Sequence, residues 1–107
     1  MNAEIKKNLA SNWFQTLQDA FCDDICKLEK NKSQFKSKIW KKNRKKDEGG
    51  GEYRILQDGK IFEKVGVNFS KVYGEFPKQF QKNIPGAQRD PRFWASGISV
   101  VMHMKNP

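Results

Sequence analysis

Two adjacent residues near the middle of the chain, Asp58-Gly59, constrain its fold more than any other feature. They separate Tyr53-Arg54-Ile55-Leu56-Gln57 from the longer run Lys60-Ile61-Phe62-Glu63-Lys64-Val65-Gly66-Val67-Asn68-Phe69. Both runs are rich in β-branched and aromatic residues. Asp-Gly between such runs predicts an antiparallel hairpin closed by a two-residue type I′ turn, because that turn requires positive φ at both central positions. Along the second run Ile61, Val65, Val67 and Phe69 share one face, with Glu63 the exception. That face needs a covering layer.

Residues 9–29 supply a candidate. Leu9, Trp13, Leu17, Phe21, Ile25 and Leu28 recur at spacings of three and four, which predicts an amphipathic helix with one apolar stripe. Phe14 lies within the same arc, Asp24 interrupts it, and Ser11 or Asn12 is the candidate N-cap. After the hairpin, residues 75–92 read as a connection. It holds Pro77, a helical turn through Phe80, and the breakers Ile84-Pro85-Gly86 and Asp90-Pro91. A last strand is expected over 93–104, with Ile98, Val100, Met102 and Met104 on one face and Ser99, Val101 and His103 on the other. Helix, two strands, connection and strand make an α+β domain over 1–107, an antiparallel β-sheet flanked by helices. So apolar a helix calls for more sheet than this, which points to the front portion of something larger.

The formal net charge is +9, and nine of the basic residues fall within residues 30–46, which contain no acidic group. Residues 30–48 therefore read as a basic linker carrying Phe35, Ile39 and Trp40, ended by Gly49-Gly50-Gly51, where glycine entropy opposes regular structure. Lysines interleaved with aromatics also fit a non-catalytic nucleic-acid-binding module, the alternative from another class. Lysine outnumbers arginine there eight to one, against the usual preference of specific phosphate recognition for arginine. The glycine run lacks the Gly-Lys-Ser/Thr of a phosphate loop. No apolar run reaches the ~20 residues of a membrane span, no secretory h-region follows Met1, and two cysteines are too few for a disulfide scaffold. A reducing, cytoplasmic setting is the expectation.

Few side chains are suited to chemistry. Cys22 and Cys26 stand four apart on a helix, two ligands where a structural zinc needs four. Ser99 and His103 share a strand face but lie four residues apart, roughly 13 Å at ~3.3 Å per residue. A serine nucleophile must sit within about 3 Å of its base, so the pair is no hydrolase dyad. The spacing suits two contacts along a large flat ligand, or simply the polar face of an edge strand.

These stretches resemble the aerobic, oxygen-dependent coproporphyrinogen III oxidases of haem synthesis. Trp13-Phe14-Gln15-Thr16-Leu17-Gln18-Asp19, with Cys26 and Glu29, is similar to the family's opening helix, and Trp40 followed by Gly49-Gly50-Gly51 to its tryptophan and glycine run. The stretch Ile55-Leu56-Gln57-Asp58-Gly59-Lys60-Ile61-Phe62-Glu63-Lys64-Val65-Gly66-Val67-Asn68-Phe69-Ser70 resembles the central hairpin. Gly97-Ile98-Ser99-Val100-Val101-Met102-His103 with Asn106-Pro107 resembles the substrate strand. The resemblance implies oxidative decarboxylation of two propionates of coproporphyrinogen III to vinyl groups, giving protoporphyrinogen IX, with O2 and no organic cofactor. It implies a flat antiparallel sheet with helices on both faces, so that this chain is a fragment of a larger flat-sheet sandwich, and a homodimer whose contact includes Ile55, Leu56, Gln57, Asp58, Gly59, Lys60, Ile61, Phe62 and Glu63. It makes Ser99 a substrate-binding residue and His103 a ligand to a divalent metal. The chain departs from the family in having three glycines rather than four, after an unusually lysine-rich segment, and in Met104 where many members have proline. The resemblance covers roughly the first third of a family member. The proton-donating histidine and the substrate-binding arginine segment are expected beyond Pro107, so no catalytic residue is assigned and no turnover is expected of this chain alone.

Overall fold

The first helix starts six residues before its apolar stripe does. In the computed structural model, which describes residues 2–30 and 34–106, α1 runs over Ala3–Glu29. Its N-cap is Asn2, not Ser11 or Asn12: extended there, Asn2 accepts the Ile5 N–H on Oδ1 at 2.9 Å. The helix stops where Lys30 turns left-handed (φ 54°) and returns its N–H to the Cys26 carbonyl. Lys32, in the basic window, and Pro107 lie outside the described residues.

The stripe that packs is rotated from the expected one. Ser11, Gln18, Cys22, Ile25 and Glu29 are buried, whereas Leu9, Trp13 and Leu28 stay 55–59% exposed. Polar anchors set this rotation. The Gln18 amide donates to the backbone carbonyls of Glu52 (2.9 Å) and Val67 (3.2 Å), which draws the side of α1 bearing Gln18 onto the sheet. Leu17, Phe21 and Ile25 flank that line; the outer half of the apolar arc faces away.

Four strands follow: β1 Lys36–Lys41, β2 Gly49–Gln57, β3 Phe62–Glu75 and, after the single turn α2 Lys78–Gln81, β4 Arg92–Met104. They form one antiparallel meander, β1-β2-β3-β4, with α1 against one face of β3 and β4. Cys22 and Ile25 of α1 pack there on Leu56, Phe62, Val65 and Val67, with Phe21, Phe35 and Ile98 at the margin. The α+β expectation holds, and so do the central hairpin and the final strand.

Three details differ from expectation. The stretch read as a linker holds β1, paired to β2 from Lys36↔Ile55 to Lys41↔Gly50. As an edge strand exposed almost throughout, it shows no buried face and hence no alternating signal. Gly49-Gly50-Gly51 opens β2 instead of ending structure. Finally, the hairpin turn is wider than two residues. Asp58 has positive φ (56°) but Gly59 does not, and the loop closes with Asp58 N–H to the Glu63 carbonyl at 2.9 Å.

The reason for the wider turn is Glu29. Its fully buried carboxylate accepts the Ile61 N–H at 2.7 Å and lies so close to Gly59 that a Cβ there would collide with it. A register shift between Phe62 and Lys64 then turns Phe62 into the core and leaves Ile61, the residue expected inside, at the surface.

Candidate functional site

Strand register assigns the sheet's two faces. Partners across an antiparallel pair point the same way, so Leu56, Val65, Val67 and Ile98 share the face beneath α1. The opposite face carries Lys38↔Tyr53↔Asn68↔Ser99 as one row across all four strands. Beside it runs Trp40↔Gly51↔Ser70↔Gly97, and on its other side Lys36↔Ile55↔Gly66↔Val101. Glycine and serine dominate the middle of this face, and among the described residues no helix packs on it.

Two aromatic rings lie across the glycines. A Cβ on Gly51 would come within 2.8 Å of the Trp40 ring, and one on Gly66 would strike the Tyr53 phenol. Side chains at either position would lift the rings away. The Trp40 indole Nε1–H also donates to Asn68 Oδ1 at 3.0 Å. Indole only donates, so the acceptor must be the amide oxygen, which leaves the Asn68 NH2 free to donate elsewhere. The result is a floor that is aromatic on the β1–β2 side and bears small polar groups on the β3–β4 side.

Ser99 is exposed on this floor, opposite Asn68. His103 is exposed on the same face, opposite Lys64. Four residues still separate them along one strand, roughly 13 Å, so they do not act as a pair. Among the described residues no group of three His, Cys, Asp or Glu side chains comes together. Among the described residues His103, with Lys64 across from it, supplies a single candidate ligand.

Cys22 and Cys26 lie on the other side of the sheet, both as free thiols. Burial pushes the Cys22 thiol up, and the neighbouring Arg54 guanidinium offsets only part of that. A raised thiol is a poor nucleophile or ligand at neutral pH. Arg54 itself bridges elements: it pairs with Glu52 and with Asp19 of α1, each at 2.8 Å. Its hydrogen bonds hold the Glu52 carboxyl below the usual range.

The hairpin residues expected at a dimer contact divide into two sets. Leu56, Gly59 and Phe62 are buried in the chain's own core, while Ile55, Gln57, Asp58, Lys60, Ile61 and Glu63 are partly or fully accessible. The basic window contributes to a groove of about 610 Å³ on the α1 side of the sheet, lined by Lys41, Arg44, Lys46 and Lys71 over Ile39 and Phe69. This groove is across the sheet from Ser99. The sequence marks Trp40 only as an aromatic of the basic window and of the family resemblance, and does not mark Tyr53 or Asn68 as site residues. The alternation that put Val67 inside also put Asn68 outside, but only pairing to β4 sets it against Ser99.

The sheet thus has one face under a helix and the other open, glycine-floored and aromatic. The family model for coproporphyrinogen III oxidase matches residues 9–107, and the chain belongs to that family, in its oxygen-dependent branch. It is 44% identical over 105 residues to an oxygen-dependent coproporphyrinogen-III oxidase of Rickettsia felis, covering 94% of this chain and 38% of that protein. Those of Rickettsia prowazekii (43%, over all of this chain and 39% of the relative) and Rickettsia bellii strain RML369-C (44%, over 95% and 39%) are comparably similar. The chain thus spans about two fifths of the length of the relatives it matches.

Proposed function

We propose that this chain provides part of the substrate platform of an oxygen-dependent coproporphyrinogen III oxidase. Each turn of that reaction removes CO2 and two hydrogens from a propionate, leaving a vinyl group, while O2 takes up the two electrons and two protons. It needs a surface that holds a broad macrocycle with four carboxylate arms. The observation that carries the reading is the position of Ser99, exposed on the glycine-floored face beside Asn68 and within the span of Trp40 and Tyr53. On this reading the Ser99 hydroxyl donates to a propionate, and Lys36 and Lys38 on the same face attract the others. O2 is the only co-substrate and no organic cofactor takes part. The accessible residues of the 55–63 hairpin, Ile61 above all, are the ones free to meet a second copy.

The test has two parts. Coproporphyrin III, the stable oxidised macrocycle, is expected to bind the chain, and Ser99→Ala to weaken that binding. Aerobic incubation with coproporphyrinogen III is expected to yield no protoporphyrinogen, since none of the described residues is placed as a proton donor to the macrocycle. Failure to bind coproporphyrin overturns the platform. Turnover by this chain alone overturns the view that the acid–base groups lie elsewhere. The alternative, a nucleic-acid-binding module, draws on the basic groove of Lys41, Arg44, Lys46 and Lys71. It requires tight oligonucleotide binding that collapses steeply with salt.

A further inference from the structure

We infer that Asn68, held by Trp40, is the partner of Ser99 in gripping a substrate carboxylate, so that the two form a clamp on neighbouring strands. The inference rests on the platform reading above. Its basis is local. Asn68 and Ser99 are register partners on β3 and β4 of the open face, which places their Cβ atoms ~5 Å apart. The Trp40 indole occupies the Asn68 oxygen at 3.0 Å. That single bond decides the amide's orientation: with Oδ1 committed, the group turned towards any incoming ligand is NH2, a donor. Among the described residues the Asn68 NH2 has no acceptor. Two N–H bonds and the Ser99 O–H then offer donors and no fixed acceptor, a set that selects a carboxylate over a neutral ester or amide.

The row extends the argument to specificity. Lys38 and Tyr53 continue the Asn68–Ser99 line across β1 and β2. Three strand gaps of ~4.8 Å carry it roughly 14 Å from Ser99 to Lys38, so one macrocycle lying across the strands meets the clamp at one rim and a cation at the other. Trp40 is in this scheme a positioning residue. It acts on substrate through Asn68 and through the floor it makes over Gly51.

Binding of two probes to the purified chain tests this: coproporphyrin III, with four free carboxylates, and a water-soluble tetra-ester of the same ring. The wild-type chain is expected to prefer the acid. Asn68→Asp keeps the shape, replaces a donor with a negative charge, and should weaken acid binding at least about tenfold while leaving the ester nearly unchanged. Trp40→Phe keeps a flat ring but frees the amide to flip; it should weaken the acid by about two- to fivefold and lower the acid-to-ester ratio. A merely structural loss moves both probes together, and circular dichroism identifies any variant that fails to fold. If Ser99→Ala weakens acid binding but neither Asn68→Asp nor Trp40→Phe alters the acid-to-ester ratio, the clamp is wrong and the platform stands. If the wild-type chain binds neither probe, both are overturned.

Discussion

Glu29 shows how one side chain can set the geometry of a distant loop. It is the last residue of α1, fully buried, and its carboxylate is satisfied by the Ile61 N–H of the hairpin. Gly59 is required there because a Cβ would occupy the carboxylate's place. Gly59→Ala is therefore expected to destabilise the fold by roughly 1–3 kcal/mol through overpacking, measured by denaturant unfolding. Glu29→Ala should relieve that clash in the double variant, so the two effects will not add. Glu52 gives the pH dependence. Arg54 holds its carboxyl below the ordinary 4.5, so the folded state favours the charged form. Stability from this pair is complete above that value and is lost as pH falls towards the depressed folded value. Arg54→Met should flatten the acid limb of a stability–pH curve measured between pH 5 and 2. None of this was legible in the sequence. Glu29 and Gly59 are separated by two strands and their connections, and Asp-Gly alone predicts a tighter turn than the one that forms.

At the level of elements, alternation proved a better guide than helical periodicity. The hairpin runs and the final strand were legible because a half-buried sheet writes a period of two into the sequence, and one face here is covered. The helix was legible in extent at its C-terminus but not in rotation. Its apolar arc is wider than the contact it makes, and Gln18, a polar residue, picks the line that docks. Ile25→Ala, in the core at 4% exposure, is accordingly expected to cost about 2–4 kcal/mol. Trp13→Ala, at 59% exposure, should cost no more than about 0.5 kcal/mol despite removing a far larger ring. Equal losses in urea unfolding would mean the helix is docked the other way round. β1 escaped notice for the complementary reason: an edge strand with almost no buried side chain has nothing to alternate. The candidate site was half legible. Ser99 stood out from its strand and its family resemblance, whereas Asn68 acquires meaning only from the pairing that sets it across from Ser99, and Trp40 only from the hydrogen bond that reaches Asn68 over β2.

The molecule as a whole is one-sided. Among the described residues α1 covers part of one face, nothing covers the glycine-rich face, and β4 forms an edge of the sheet with Val100, Val101, Met102 and Met104 each 40–58% exposed. A long edge of this kind invites further strand pairing. Sedimentation at rising protein concentration is expected to show self-association, and Val101→Lys to suppress it; a chain that stays monomeric at high concentration contradicts this. The sheet order has a further consequence. Because each strand pairs with its predecessor in the chain, a growing polypeptide can zip β1 to β2 and β2 to β3 as each emerges, with no strand waiting for a partner not yet made. β4 arrives last, and it alone brings Ser99. Synthesis therefore lays down the aromatic floor and the Asn68 amide first and completes the polar row only once β4 emerges, so a chain interrupted before β4 would carry the floor of the platform without its clamp.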